Sequence, residues 1–284
     1  VQMKNLGLSL QARYRQALGE DVPFPEDGYQ GDYMKEIAQM LVAEKGDSLK
    51  STQETQAFTQ FAADHIIKLI DADMRALGIY FDNWFSEASL HKNGKVDRAL
   101  DRLAQQGMLY EKDGATWLRS EQFGDEKDRV VIKSDGEKTY IMPDIAYHQD
   151  KFARGYDILI NVLGGDHHGY VPRLKAGVQA LGFDAARLHC IVFQMVTLLK
   201  DGEQIKLSTR AGKFITLKNA IDELGADVVR FFFLMRGADS QMTFDWQLAK
   251  DHSMNNPVFY VQYAHARCCS IFKKAEEMGI TWLG

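Results

Sequence analysis

Residues 162–177 read VLGGDHHGYVPRLKAG: the end of an apolar strand, a turn on two glycines, Asp166, His167 and His168 side by side, and then a helix expected over 170–181. The run before it, DILINVLGG, has strand character, and so does RLHCIVFQMV after the helix. Strand, helix, strand with a crossover is the unit of a parallel sheet, and such crossovers are right-handed almost without exception. The fold is therefore α/β at this point. Asp166, His167 and His168 stand where the chain leaves the carboxyl end of a strand, and three uses stay open. A metal centre needs further Asp or His ligands at fixed spacing, and no second strand end with paired carboxylates is found. A structural role has one histidine cap the turn while the other packs at the sheet edge. A nucleotide grip fits the position, because glycine turns let backbone approach phosphate and helix N-termini favour anions.

Working outward, residues 1–18 carry Leu6, Leu10, Tyr14 and Leu18 at helical spacing, and GEDVPFPEDGYQG then breaks the pattern as a surface loop. Helices are expected over 32–45, 51–77 and 95–106. YFDNWFSEASL, between the last two, reads as extended, with Phe81, Trp84 and Phe85 assigned to a local core. MLYEKDGATWLRS reads as a hairpin turning on Asp113-Gly114, and RVVIKSDGEKTYIM as a second one turning on Asp135-Gly136. Residues 82–142 thus form a small mixed insertion. LLKDGEQIKL is a further hairpin, and helices follow from Thr216. The last of them sets Val258, Val261, Ala264, Cys268, Ile271 and Ala275 on one face, and Asn256, Tyr260, Tyr263, Arg267, Ser270 and Lys274 on the other.

The composition narrows the class. With 284 residues, 45% hydrophobic and 26% charged, the chain has enough apolar material for one large or two smaller cores. A net charge of −5 argues against indiscriminate nucleic-acid binding and leaves room for a local basic face. The three cysteines, two of them adjacent, have neither zinc nor disulfide spacing. No apolar run approaches the ~20 residues of a membrane helix and no secretion signal is visible, so a cytoplasmic protein that meets no membrane is expected. The sequence opens on Val1 in mid-helix, as a fragment of a longer chain would.

QIKLSTRAGKFITL, residues 204–217, places Lys206, Ser208, Thr209, Arg210 and Lys213 on a polar, glycine-containing loop. Hydroxyls beside cations suit a loop that clamps a developing pyrophosphate. Taken alone, the pattern also describes a solvated basic turn. The long runs KTYIMPDIAYHQDKFARGYDILINVLGGDHHGYVPRLKAGVQALG, QMVTLLKDGEQIKLSTRAGKFITL, GADVVRFFFLMR and NPVFYVQYAHARCCSIFKKA, in this order and spacing, resemble the arginyl-tRNA synthetases, a family of class I aminoacyl-tRNA synthetases. The resemblance covers nearly the whole chain.

It implies a Rossmann-like class I catalytic domain, here its C-terminal half, over residues 1–245 with the insertion at 82–142, and the start of a helical anticodon-binding domain over 246–284. It also implies the activity of an arginine–tRNA ligase: ATP-dependent formation of arginyl-adenylate, then transfer to tRNA(Arg). Lys206-Leu207-Ser208-Thr209-Arg210 stands at the Lys-Met-Ser-Lys-Ser signature, with Thr209 in place of the second lysine, so that catalysis leans on Lys206 and on Arg210 or Lys213. Tyr140 and Asp144 match the tyrosine and aspartate that read the guanidinium, with Tyr147 and His148 one turn on as pocket lining. For Asp144 alone, an acid in a helix's first turn has a plainer explanation in the helix dipole. ATP is expected at Gly164, Gly165, Asp166, His167 and His168, with Gln194, Met195 and Val196 against adenine, although the last three also read as plain buried strand. Magnesium accompanies the ATP and needs no protein cage. A tRNA face is expected at Asn256, Tyr260, Tyr263, Arg267 and Lys274, a pattern that taken alone also describes a solvated or packed helix face. The second class I signature, His-Ile-Gly-His, is absent from these 284 residues, so the chain alone is expected to make little adenylate. A monomer is expected. The competing hypotheses are an Asp-His-His metal-dependent phosphoesterase and a non-catalytic tRNA-binding relic.

Overall fold

The computed structural model describes residues 2–205 and 215–280. Contacts gather the chain into two units, one of residues 1–82, 197–235 and 243–284, the other of residues 83–196 and 236–242. The first opens with α1 (Gln2–Ala17), α2 (Asp32–Lys45) and α3 (Gln56–Ala76). Their apolar stripes meet in a core of Leu6, Leu10, Tyr14, Met34, Ile37, Leu41 and Phe58. The buried Tyr14 hydroxyl donates to the Gly46 carbonyl at 2.6 Å, closing the exit of α2. Helical periodicity overestimates α3 at its start: residues 51–55 are outside it, and the helix begins only at Gln56.

The second unit holds α4 (Ala88–Lys92), α5 (Lys95–Gln105), β1 (Leu109–Lys112), β2 (Ala115–Leu118), β3 (Arg129–Ile132), α6 (Ile141–Ala153), β4 (Leu159–Gly164), α7 (Val171–Ala180) and β5 (Leu188–Phe193). β1 and β2 form the expected hairpin, with Lys112 opposite Ala115. Its turn residues Asp113 and Gly114 both have positive φ, +53° and +73°, the geometry that suits a two-residue hairpin loop. The Asp135-Gly136 turn exists, but its return arm makes only the bridge between Ile132 and Lys138. Thr139 then bonds back to the β3 backbone, and from Ile141 the chain is already helix α6, so the second expected hairpin has a single strand. YFDNWFSEASL forms no strand: Phe85 packs against the core of this unit, while Phe81 and Trp84 remain 45% and 43% exposed.

That core joins Leu90, Val96, Leu103, Leu118, Val131, Met142 and Ile145 with Ala180 and Leu181, so the segment 83–142 and the α6–α7 layer share one apolar interior. β4 and β5 pair in parallel, with Asn161 opposite Cys190 and Gly164 opposite Phe193. Phe152, Leu159, Leu174, Val178 and Leu188 fill the space between the helices and one sheet face. RLHCIVFQMV is not one strand. β5 ends at Phe193, the Gln194 backbone N–H turns aside to the Ala238 carbonyl, and Val196 opens β6 (Val196–Lys200).

The first unit resumes there. β6 pairs with β7 (Glu203–Gln204) around Asp201-Gly202 and, on its other side, with β8 (Met242–Asp245). Between them lie α8 (Leu217–Leu224), started by a reciprocal Thr216–Asn219 cap, and α9 (Ala226–Leu234). α10 (Trp246–Lys250) and α11 (Pro257–Glu277) complete it. Among the described residues no helix is long and apolar enough to cross a membrane.

Candidate functional site

Pro143 in the first turn of α6 is preorganised for a helix start. That start puts Asp144 where its carboxylate faces the chain leaving β4. Asp144, Tyr147, His148, Lys151, Asn161, His167 and Tyr170 line a cleft of about 330 Å³ floored by the apolar residues of β4. The Tyr170 hydroxyl donates to Oδ2 of Asp144. Burial, reinforced by this bond to a carboxylate, pushes the Tyr170 hydroxyl well above its ordinary pKa and keeps it a donor. Arg173 lies over the Tyr170 ring at 5.4 Å. Among the described residues the Asp144 carboxylate accepts only the bond from Tyr170, so Oδ1 faces the cleft as an acceptor.

Behind Asp144 the polar groups are tied together. His148, 3% exposed, contacts the Asp144 carbonyl through Nδ1 at 2.7 Å and the Asn161 side-chain amide through Nε2 at 2.8 Å. Lys151 Nζ donates to Asn161 Oδ1 at 2.9 Å and sits 4.4 Å above the Tyr147 ring. Burial, then the neighbouring Arg154, lowers the Lys151 pKa. Tyr147 stacks on Phe85 at 4.4 Å, with Arg154 over both rings and paired to Asp150 at 2.6 Å.

β4 continues into a short 3-10 turn over Gly165–Tyr170. A Cβ on Gly164 would stand 2.8 Å from Oδ1 of Asp166, and one on Gly165 would stand 3.3 Å from the Phe193 carbonyl and 3.8 Å from the Gln194 side chain. At Gly164 the exposed Asp166 side chain could swing aside, so the tighter constraint is Gly165, where the neighbour is the Phe193 backbone carbonyl. Asp166 and His167 are 78% and 51% exposed, 3.7 Å apart. His167 meets the Tyr170 ring edge-on. Among the described residues no three His, Cys, Asp or Glu side chains group as a metal site.

The structure brings His167 into the Asp144 cleft with Tyr147 and His148, and sets Gln194 beside Gly165. Tyr140, the N-cap of α6, is 93% exposed and outside the cleft lining. Met195 and Val196 are 72% and 37% exposed, not the interior of a strand. Lys206, Ser208, Thr209, Arg210 and Lys213 lie outside the described residues. On α11, Tyr260, Tyr263, Arg267 and Lys274 are exposed. So are Val261 and Ile271, and of the expected apolar stripe only Val258 is buried. Asn256 differs from its helical companions: it is 3% exposed, caps α11 by accepting from the Val258 N–H and donates to the Ala249 and Asp251 carbonyls, so its amide is used up in the fold.

Sequence reasoning missed Tyr170, Lys151 and Asn161. Lys151 follows Asp144 by two turns on one face of α6, and Asn161 is a lone amide inside an apolar strand. Both residues stand out in the sequence, but nothing local tells which groups they meet.

Solved class I tRNA synthetases share the fold of this chain. A Thermus thermophilus arginyl-tRNA synthetase shares it at a TM-score of 0.65 and 18% identity, over 99% of this chain and 62% of that one. A Mycobacterium tuberculosis methionyl-tRNA synthetase shares it at 0.52 and 13% identity, over 87% of this chain and 63% of that one. Within that class, residues 31–232 match the family model described as tRNA synthetases class I (R), catalytic domain, and the chain belongs to that family. The arginine–tRNA ligase of Bacillus licheniformis is 51% identical over 100% of this chain and 51% of its own length. That of Geobacter sp. strain M21 is 54% identical over 98% of this chain and 51% of its own. A Campylobacter jejuni structure assigned as an arginyl-tRNA synthetase superposes with a TM-score of 0.88 at 39% identity, covering 97% of this chain and 60% of that one. The chain spans about half the length of these curated relatives.

Proposed function

We propose that this chain is the part of a cytoplasmic arginine–tRNA ligase that reads the guanidinium of arginine and receives the nucleoside of ATP. The whole enzyme forms arginyl-adenylate and pyrophosphate, and then arginyl-tRNA(Arg). The observation that carries this reading is the Asp144 carboxylate, fixed by Tyr170 at the rim of a cleft in a chain of this family. A guanidinium is a planar fork that pairs with both oxygens of one carboxylate, which an ammonium cannot imitate. Tyr147 and His167 wall the same cleft, and Tyr140 stands one turn before Asp144 as a group able to close over the ligand.

The tight Gly164-Gly165 corner, with Asp166, His167 and His168 after it and Gln194, Met195 and Val196 nearby, is assigned to ribose and adenine. Adenylation is an attack of the arginine carboxylate on the α-phosphate, a step that depends on alignment and charge stabilisation more than on covalent help. Lys206, Ser208, Arg210 and Lys213 are assigned to the leaving pyrophosphate, with Thr209 in the signature's lysine position. Magnesium enters with the nucleotide. Tyr260, Tyr263, Arg267 and Lys274 offer rings and cations to tRNA. Asp144→Asn in the full-length enzyme removes the paired charge. It is expected to weaken arginine use by roughly 2–4 kcal/mol in kcat/KM, measured by arginine-dependent ATP–pyrophosphate exchange. Unchanged constants for arginine would remove Asp144 from the pocket.

A further inference from the structure

The hydrogen-bond logic behind Asp144 has a single solution. The Asp144 carbonyl accepts only, so Nδ1 of His148 carries the proton, and Nε2 presents a lone pair. Lys151 donates only, so the Asn161 amide turns its oxygen to Lys151 and its NH2 to His148. Protonating His148 would set Nε2–H against the Asn161 NH2. Flipping the amide to relieve that clash would set its NH2 against the Lys151 ammonium. No arrangement of the three residues accommodates an imidazolium. All three side chains are thereby committed to joining α6 to β4, and Asp144 is gripped from two sides, its carbonyl by His148 and its carboxylate by Tyr170.

We propose that His148 and Asn161 are positioning residues for guanidinium recognition. They hold the first turn of α6 at the distance from β4 that presents the Asp144 oxygens to both arms of the fork. The inference rests on the assignment of Asp144 to arginine. A two-point pairing tolerates little displacement of its acceptor, and misplacement of about 1 Å is enough to weaken it severely. The adenine side depends on the Gly164-Gly165 corner and not on this link, so the effect should be confined to arginine.

The test compares Asn161→Ala, Asn161→Asp and Asp144→Asn in the full-length enzyme, with KM for arginine, KM for ATP and kcat read from pyrophosphate exchange. Asn161→Ala is expected to raise KM for arginine about tenfold with KM for ATP and kcat changed by less than about twofold. Asn161→Asp should restore most of the arginine KM, because a carboxylate accepts from both Lys151 and a protonated His148 and so rebuilds the tie. An arginine KM unmoved in Asn161→Ala, an equal rise in both KM values, or no recovery in Asn161→Asp overturns the proposal. Asp144→Asn separates the two failures: if it leaves arginine KM unchanged, the assignment of Asp144 is wrong, whereas if it alone raises that KM, only the positioning role falls. Should Asn161→Ala not fold, His148→Ala replaces it with the same expected split, and an arginine KM left unchanged by that variant equally overturns the proposal.

Discussion

His148 carries its pH dependence in its surroundings. Burial is the largest influence and lowers its pKa below the ordinary 6.5, and the Lys151 charge adds to this, while the bond to the Asp144 carbonyl acts the other way. In the unfolded chain the imidazole takes up a proton as pH drops through about 6.5, whereas in the folded chain it resists. The unfolded state therefore binds more protons below that pH. The stability contribution is fully present above about 6.5 and is lost as pH falls towards the depressed folded value. Thermal melts of the chain between about pH 7.5 and about pH 5.5 are expected to show a falling Tm, this residue contributing at most ~1.4 kcal/mol of stability per pH unit. Asn161→Asp places a carboxylate beside Nε2, raises the folded pKa and should flatten that part of the slope. Parallel slopes in the two proteins would show that His148 does not titrate between folded and unfolded states as described.

At the scale of elements, α6 and α7 approach closely because residue 177 is glycine. A Cβ there would lie 2.6 Å and 2.8 Å from Cγ1 and Cδ1 of the fully buried Ile145. Gly177→Ala removes a helix-destabilising glycine, worth up to about 1 kcal/mol, but overpacks the core at a cost of about 1–3 kcal/mol. The net expectation is destabilisation in chemical denaturation, with a smaller further loss when Gly177→Ala is added to an Ile145→Ala background, where the clash is gone. A stabilised Gly177→Ala would refute the tight packing. The elements most legible in the sequence are those specified by local chemistry. Asp113-Gly114 and Asp201-Gly202 announced their hairpins because two-residue turns demand positive φ, and α2 matched its periodic residues. Asn256 before Pro257 carried the mark of an N-cap, yet counting every third or fourth residue placed it on a ligand face. The return arm after Gly136 alternates like a strand, but Pro143 and the Thr139 bonds to β3 turn it into α6 first. The Asp144–His148–Asn161–Lys151 network was illegible for another reason. It joins a helix to a strand across a loop, and no local pattern records which amide will face which ring.

At the scale of the molecule, the parallel strand pair has one face packed and, among the described residues, one largely exposed. Ile160 and Val162, which also floor the Asp144 cleft, and Ile191 and Phe193 are 59%, 66%, 43% and 40% exposed, and Met195 beside them is 72% exposed. β4 pairs with β5 and with no other strand among the described residues. Parallel sheets are normally covered on both faces, and an apolar face next to an open strand edge is a template for association. The apolar run of β4 was readable in the sequence; which side would be covered was not, since that depends on segments far apart in the chain. The isolated 284-residue chain is therefore expected to bind a hydrophobic dye and to self-associate, with light-scattering mass rising with protein concentration. Covering a side chain such as Ile160 or Val162 is worth about 1.5–3 kcal/mol, so changing both to threonine keeps the β-branched shape while removing much of the drive. That double variant should lower dye binding and the scattering mass without shifting Tm by more than a few degrees, because neither side chain contributes to the packed face. A parent chain that stays monomeric and dye-silent at high concentration, or a double variant that associates as strongly, would show that this face is not what holds the copies together.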